Sequence, residues 1–259
     1  MLGNTVVRHF RSRDDYEITA TYRTDGLMEG VRAICFDVLS DSLDKLPSDF
    51  DYVLNCIGIC KPFMAQSIQA AIKINSLFPW QLSDWCDKTD TRLIHITTDC
   101  VYSGLKGKYV ESDLHDALDD YGKSKSLGET TNAMVLRTSI IGEEVHKDAF
   151  LIAWIKSQKG KTVNGFSTHL WNGITTNEYA RICDDIIMRD LYKKDLFHVF
   201  AKDDVTKLDM MHYFNEKYNL ELTIEDKRVE PCDRTMRTSK DLCAKLNVPT
   251  VRDMIMAID

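Results

Sequence analysis

The 259-residue sequence contains no long hydrophobic segment and no cluster of basic residues. A helix needs about 20 consecutive apolar residues to cross a bilayer, and no run approaches that length. The N-terminus, "MLGNTVVRHF", also lacks the apolar stretch of a secretion signal. The chain has 33 Lys and Arg against 40 Asp and Glu, and phosphate neutralisation requires clustered cations. We therefore expect neither membrane insertion nor nucleic-acid binding.

Metal-binding motifs are absent as well. The 8 Cys and 7 His show no CxxC, HxH or HxxxH spacing, so the sequence predicts no metal site. The cysteines are scattered, and several lie inside apolar segments. This distribution is typical of reduced, buried thiols, and we predict a cytoplasmic protein.

Short apolar segments alternate with helical ones in the first half of the chain. Helical spacing occurs in residues 4–13, 66–86 and 121–132, and strand-like runs occur in residues 16–23, 31–38, 51–58, 91–104 and 133–142. This alternation predicts an α/β fold with a parallel sheet covered on both faces. Ligands bind such sheets at the carboxyl ends of the strands, where Asn55, Thr98 and Asp99 fall.

The second half is predicted to be mainly helical. Helices are expected in residues 175–191 and 207–220, a helix followed by a turn in 148–166, and two short helices around Pro249. The polar segment "GEEVHKD" precedes this half. We therefore predict a first domain over residues 1–145 and a smaller substrate-binding region over 146–259 that packs on it.

The strongest chemical motif is "YGKSK", in which Tyr121 and Lys125 lie one helical turn apart. Side chains at this spacing share a helix face about 6 Å apart, and an ammonium group there lowers the pKa of a phenol. Such a tyrosine can transfer a proton to or from a carbonyl or alcohol oxygen. The hydroxyl of Thr98, at the end of the preceding strand, could bind the same oxygen. The alternative interpretation of the motif is a solvated helix face.

Several motifs occur in the order and spacing of a known family. They are "NCIG", "KIN", "TTDCVYSG", the segment Tyr109 to Asp113, "YGKSKSLGE" and "VLRTSIIG". With them, residues 1–145 resemble the extended short-chain dehydrogenase/reductases, and especially the dTDP-4-dehydrorhamnose reductase branch of sugar-nucleotide reductases. The segment "GFSTHLWNGITTNEYA" is a looser match, closer to a polysaccharide-biosynthesis subgroup. The resemblance implies a Rossmann-type, doubly wound parallel sheet.

The resemblance also implies roles for individual residues. Tyr121 would donate the proton, Lys125 would lower its pKa and hold the nicotinamide ribose, and Thr98 would orient the substrate carbonyl. The cofactor would be NADP(H), since Arg23 follows a strand where an arginine suits a 2′-phosphate, with NAD(H) as the alternative. Besides Tyr121 and Lys125, the implied cofactor contacts are Leu2, Gly3, Arg23, Asp37, Val38, Asn55, Ile57, Gly58 and Asn75.

Substrate contacts are expected from both halves of the chain. Thr98 and Asp99 follow the catalytic strand, and His169 and Trp171 lie in a loop where a sugar or nucleobase could stack. Arg234 and Arg237 could bind a diphosphate, with solvated or structural roles as the alternative.

The family's glycine-rich loop is matched only in part. In the family, a first strand leads into G-x-x-G-x-x-G, and "MLG" corresponds to the last three positions, with Gly3 as the glycine that permits close packing of helix and sheet. We therefore expect a truncated version of a longer protein. Its sheet would have an empty central position between two strands with unpaired edges.

The function implied is NADP-dependent reduction of a 4-keto deoxysugar nucleotide in surface-polysaccharide biosynthesis. Two alternatives remain open. One is a non-catalytic, NADP-binding regulatory subunit, like the β subunit of methionine adenosyltransferase, or an inactive remnant. The other is a sugar-nucleotide epimerase on the same scaffold. The expected partner is the sugar nucleotide, and a homodimer is common in such folds.

Overall fold

A computed structural model describes residues 1–24, 30–144 and 149–258. The helices are α1 (Leu2–Arg11), α2 (Ile68–Ile72), α3 (Phe78–Lys88), α4 (Asp120–Leu127), α5 (Leu151–Lys156), α6 (Thr176–Met188), α7 (Lys207–Tyr218), α8 (Leu242–Leu246) and α9 (Val251–Met256). The strands are β1 (Thr19–Tyr22), β2 (Arg32–Cys35), β3 (Tyr52–Asn55), β4 (Arg92–Thr98), β5 (Met134–Thr138), β6 (Ile140–Ile141), β7 (Thr162–Gly165), β8 (His169–Trp171), β9 (Ile174–Thr175), β10 (Asp195–His198), β11 (Val205–Thr206), β12 (Thr223–Asp226) and β13 (Cys232–Asp233).

The centre of the fold is a parallel sheet with strand order β10-β5-β4-β3. Successive side chains of β4 point to opposite faces of this sheet. Ile94 and Ile96 enter a core that also contains residues of α1, α5 and α6. Leu93 enters a second core with Phe78 and Leu82. Because both faces are buried under helices, the predicted Rossmann-type α/β fold is confirmed.

The sheet of the first half is in two pieces. Strands β1 and β2 pair in parallel, and among the residues that the structure describes no strand hydrogen-bonds the outer edge of β1 or that of β3. The expected separation of the sheet into two pieces is therefore confirmed, and the empty central position between them stays a prediction.

Helix α1 packs against α6 and is held there by a buried carboxylate. Asp184 on α6 accepts hydrogen bonds from Tyr16 (2.6 Å), Arg13 (2.7 Å) and His9 (2.8 Å). Gly3 lies inside the first turn of α1. A Cβ atom added there would be 3.6 Å from the nearest atom, which is ordinary contact. The expectation that close packing requires glycine at this position is therefore wrong.

The helix predicted over residues 66–86 changes geometry at its middle. A π-helical turn, Lys73–Leu77, separates α2 from α3. In a regular α-helix the amide of residue 79 would bond the carbonyl of Asn75, but Pro79 has no amide hydrogen. The freed Asn75 carbonyl faces α4, where a Cβ at Gly128 would lie 2.0 Å from it. Such turns occur frequently at functional sites.

The predicted helices of the second half are present as α5 to α9, but its strands were not predicted. Strand β10 lies beyond the predicted domain boundary and extends the parallel sheet beside β5. The boundary itself falls partly outside the described residues, which exclude 145–148. The division into residues 1–145 and 146–259 stays a prediction.

Two further expectations concern burial and hydropathy. Of the cysteines, only Cys86 and Cys183 are buried, and Cys35 is exposed, so the expectation of generally buried thiols is wrong. No helix in the described ranges combines the length and the apolar character needed to cross a bilayer.

Candidate active site

The structure brings Thr98, Tyr121 and Lys125 together at the carboxyl end of β4. Thr98 ends the strand, and its Oγ1 accepts a hydrogen bond from the Cys100 amide (3.1 Å), which caps a short 3₁₀ turn. A Cβ at Gly122 would lie 2.2 Å from the Cys100 carbonyl oxygen. Glycine at this position therefore allows α4 to lie directly against the end of β4, which places Tyr121 beside Thr98.

The phenol of Tyr121 is half-buried and interacts with the Thr98 hydroxyl. Burial raises the pKa of Tyr121 above its ordinary value, the nearby Cys60, Cys100 and Asp99 raise it further, and the neighbouring Thr98 hydroxyl opposes them. The predicted fall of this pKa towards neutrality is therefore wrong for this arrangement. The phenol holds its proton at neutral pH.

Lys125 is 5% exposed, and its Nζ donates a hydrogen bond to the carbonyl oxygen of Ile96 (3.0 Å). Burial lowers the pKa of Lys125 to about 8, and the charges of Glu129 and Cys60 oppose this shift. The ammonium group is thus directed at the backbone of β4.

The depressed pKa of Lys125 predicts a pH-dependent stability. At this lysine the unfolded chain holds a proton that the folded chain lacks between pH 8 and the ordinary lysine pKa of about 10.4, so the contribution of Lys125 to stability should rise with pH in this window. Buried thiols with raised pKa values, such as Cys56 and Cys86, contribute a change of the opposite sign. The gain from Lys125 should approach about 3 kcal/mol. Urea unfolding of wild type and Lys125→Met across this range measures it, because the stability of wild type relative to the variant should grow with pH. Lys123→Met removes an exposed lysine from the same helix and should keep the pH dependence of wild type. Parallel pH curves for wild type and Lys125→Met would contradict the prediction.

Asn75 joins the loop after β3 to α4. Its Oδ1 accepts a hydrogen bond from the Ile59 amide (2.8 Å), and its Nδ2 donates to the Ile59 carbonyl (2.9 Å) and to Ser124 Oγ (3.1 Å). Asn75 therefore fixes the residue that precedes Lys125. The role of Asn75 as a cofactor contact stays a prediction.

Buried side chains fix the position of the predicted cofactor-binding segment after β3. The Asn55 amide donates to His95 Nδ1 (3.0 Å) and accepts from the Ile57 amide (3.1 Å), which turns the chain towards Gly58. The Met1 amino group and Lys125 both act electrostatically on Cys60. A Cβ atom at Gly3 would lie 3.6 Å from Cys56 Cβ, and β3 is parallel to β4, so the first turn of α1, this loop and Thr98 lie at the same edge of the sheet.

The first turn of α1 offers backbone amides at this edge. Its N-terminus has no side-chain cap, and uncapped amides at a helix start favour anions such as a pyrophosphate. The side chain of Leu2 is 7% exposed and lies in the main core, so only backbone at this position can contact a cofactor.

Three other predicted cofactor residues follow β1 and β2. Arg23 is exposed at the end of β1. Asp37 Oδ1 accepts a hydrogen bond from the Leu39 amide (2.9 Å) and so stabilises its own turn, and Val38 is buried in the second core. Lys73 of the π-helical turn donates to the Leu39 carbonyl (2.8 Å). This bond connects the turn after β2 to the helix that carries Asn75.

The predicted substrate residues differ in their surroundings. Asp99 is buried beside Thr98 and accepts a hydrogen bond from its hydroxyl (3.1 Å). Burial raises the pKa of Asp99, and the charge of Arg234 opposes this. His169 is half-buried in β8, where its Nε2 contacts the Glu230 carbonyl (3.0 Å).

Trp171 is not in an open loop as predicted. It is 7% exposed, its ring packs in the main core, and its indole N–H donates to Ser139 Oγ (2.9 Å). The expectation that this ring stacks on a substrate is therefore wrong in this structure.

A buried polar network behind α4 was not predicted from the sequence. Arg137 on β5 is 1% exposed and donates to both carboxylate oxygens of Glu129, to Tyr102 Oη, and to the Nε2 atoms of His115 and His198. Burial, reinforced by the charge of Arg137, lowers the pKa of His198 to about 4 and keeps its ring neutral. The network fixes the chain just after α4 to the sheet. An arginine within the apolar run "AMVLRTS" was its sequence signal.

The sequence profile of the RmlD substrate binding domain family matches residues 1–241. The chain belongs to this family. The resemblance to dTDP-4-dehydrorhamnose reductase-like proteins, inferred from the motifs, is thereby confirmed. The match extends well beyond residue 145, where the motif resemblance was looser.

Two curated relatives differ in their described roles. The chain is 33% identical over an alignment of 147 positions to methionine adenosyltransferase 2 subunit beta of Danio rerio, covering 49% of this chain and 44% of that protein. It is 24% identical over an alignment of 290 positions to the probable low-salt glycan biosynthesis reductase Agl14 of Haloferax volcanii, covering 100% of this chain and 94% of that protein. The chain thus spans less than half of the first relative and nearly all of the second.

Solved structures support the fold. UDP-glucuronic acid 4-epimerase of Bacillus cereus in complex with NAD superimposes with a TM-score of 0.77 at 18% identity, over 99% of this chain and 91% of that one. The dTDP-4-dehydrorhamnose reductase of Bacillus anthracis in complex with NADP gives a TM-score of 0.67 at 15% identity, over 79% and 78%.

Proposed function

We propose that this protein is an NADP(H)-dependent oxidoreductase that reduces a keto group on the sugar of a sugar nucleotide. The observation that carries the proposal is the convergence of Thr98, Tyr121 and Lys125 at the carboxyl end of β4. This edge is shared with the α1 N-terminus and the loop after β3. Membership of the RmlD family supports the proposal, as does the relative named as a glycan biosynthesis reductase.

The chemistry follows from the state of each side chain. A bound nicotinamide cofactor would supply the hydride. Thr98 would hold the carbonyl oxygen of the substrate, and Tyr121 would donate a proton to that oxygen as negative charge develops on it. Because the pKa of Tyr121 is raised, the phenol is protonated at neutral pH, which is the form that a proton donor requires. Lys125 would supply a positive charge beneath the site.

The solved neighbours include one complex with NADP and another with NAD, so the dinucleotide preference has to come from this chain's own residues. We assign NADP(H) from Arg23, whose guanidinium at the end of β1 suits a 2′-phosphate. Arg23→Ala should therefore weaken NADPH binding much more than NADH binding.

The test combines cofactor binding with turnover. NADPH should raise the unfolding temperature of the native protein, and it should be consumed when dTDP-4-dehydrorhamnose is added. NADH should be the weaker cofactor in both measurements. If NADPH and NADH both leave the unfolding temperature unchanged, the chain binds no dinucleotide and the proposal is wrong.

A second candidate is a regulatory subunit, and the identity to methionine adenosyltransferase 2 subunit beta favours it. In this case NADPH would stabilise the protein, but 4-keto sugar nucleotides would cause no NADPH consumption. Co-purification with a methionine adenosyltransferase catalytic subunit would then separate the regulatory role from an inactive enzyme.

A further inference from the structure

The segment after β13 lies along the loop that follows the catalytic strand. The amide of Asp233 donates to the Gly104 carbonyl (2.8 Å), and the amide of Tyr109 donates to the Thr235 carbonyl (2.9 Å). At Gly104, φ is +92°, and an added Cβ would lie 2.6 Å from Cys232 Sγ and 3.1 Å from Arg234 Cγ. The two segments thus approach each other more closely than any larger residue at position 104 would permit.

This close contact fixes Arg234 beside the catalytic residues. Its Nε donates to the Tyr102 carbonyl (2.8 Å), which anchors the guanidinium group. The side chain is half-buried, and its charge acts on Asp99, Cys100 and Asp119. Asp99 and Cys100 follow Thr98 directly, and Asp119 caps the helix that carries Tyr121.

The terminal nitrogens of Arg234 are hydrogen-bond donors that the described part of the chain does not use. Across residues 1–24, 30–144 and 149–258, no acceptor bonds to either Nη atom and no carboxylate forms an ion pair with them. Arg237 is the contrast, because its Nη atoms donate to both carboxylate oxygens of Asp204 and to the Met236 carbonyl. Of the two arginines singled out in the sequence, Arg237 is structural and Arg234 retains its planar pair of donors.

We propose that Arg234 binds an anionic group of the sugar-nucleotide substrate and so holds the sugar against Thr98 and Tyr121. A guanidinium group with two parallel N–H donors matches a phosphate or a carboxylate, and Nε anchoring holds it in position before the ligand arrives. The anion is either the diphosphate of the nucleotide or a carboxylate on the sugar. This inference rests on the proposed function, since it assumes that the site takes a sugar nucleotide.

The experiment measures binding without turnover. Isothermal titration with dTDP, UDP-glucose and UDP-glucuronic acid is carried out on protein saturated with NADP⁺. Arg234→Gln should weaken binding by about 10- to 100-fold, as expected for loss of a charge-assisted hydrogen-bonded pair. Arg234→Lys keeps the charge without the planar donors and should lie between wild type and Arg234→Gln.

The three ligands identify the anion. If Arg234 binds the diphosphate, all three lose affinity equally. If it binds a sugar carboxylate, only UDP-glucuronic acid does. Arg228→Gln removes an exposed arginine and serves as the charge control, with wild-type affinities expected. The unfolding temperature with NADPH should be the same in Arg234→Gln and wild type, which shows that the site is folded.

The outcomes separate the two proposals. If wild type binds the ligands and Arg234→Gln binds them within twofold of wild type, Arg234 has no such role and the proposed function stands. If wild type binds none of them, the proposed function fails, and the role of Arg234 fails with it. If Arg234→Gln also loses NADPH stabilisation, it is misfolded and the test rests on Arg234→Lys. Reduced ligand affinity of Arg234→Lys with normal NADPH stabilisation supports the proposal, and wild-type affinity contradicts it.

Discussion

Replacing Tyr121 by phenylalanine should lower kcat for NADPH-dependent reduction by about 10²- to 10⁴-fold, the usual contribution of a positioned proton donor. The substitution removes one oxygen atom and leaves the ring in place. Because the phenol is the group that holds a transferable proton beside Thr98, no other side chain is expected to replace it. Steady-state kinetics with a 4-keto sugar nucleotide measures the effect.

The binding of NADPH should survive the Tyr121 substitution. The unfolding temperature with and without NADPH checks this in the same preparation. Tyr213→Phe is the matched control, because it removes a hydroxyl group from a half-buried tyrosine on α7 and should keep wild-type kcat. Full activity of Tyr121→Phe would remove the phenol from the mechanism and leave Thr98 and Lys125 without a proton donor between them.

Replacing Arg137 by methionine should lower the free energy of unfolding by about 3–5 kcal/mol, because breaking a buried ion pair leaves an uncompensated charge. Glu129 is the carboxylate left behind, and its side chain is only 7% exposed. Tyr102, His115 and His198 also lose a hydrogen-bond partner. Urea unfolding measures the change through the transition midpoint at constant slope.

Two further variants determine the cause of that loss. Arg137→Met combined with Glu129→Gln should recover part of the stability, since the second change removes the buried negative charge. Arg92→Met breaks a 2.9 Å ion pair with Asp190 on the surface and should cost far less stability than Arg137→Met, because water screens both exposed partners. Equal effects of Arg137→Met and Arg92→Met would contradict the importance of burial at this network.

The local patterns of the sequence determined the helices and the parallel strands of the first half. Apolar spacing predicted α1, α3, α6 and α7, because each helix must bury one face. It also predicted that Thr98 ends a strand and that Tyr121 and Lys125 share a helix turn, and the structure brings these three side chains together. Strands of two or three residues in the second half, such as β8 and β13, were too short to give a periodic signal.

The protonation states could not be derived from spacing. A lysine four residues after a tyrosine predicts a lowered phenol pKa only if the two groups face each other. In the folded chain Lys125 bonds the Ile96 carbonyl, and burial raises the pKa of Tyr121. Burial depends on residues distant in sequence that surround the group, so it is a property of the tertiary structure.

The sequence by itself determined the fold class, the family and the three residues at the centre of the candidate site. Only the tertiary structure distinguished Arg234 from Arg237, two arginines three positions apart in one polar segment. Packing gave Arg237 the carboxylate of Asp204 and placed Arg234 beside the end of β4. The physical reason is that periodicity specifies which face of an element is buried, whereas the partner of a charged side chain depends on contacts between distant segments.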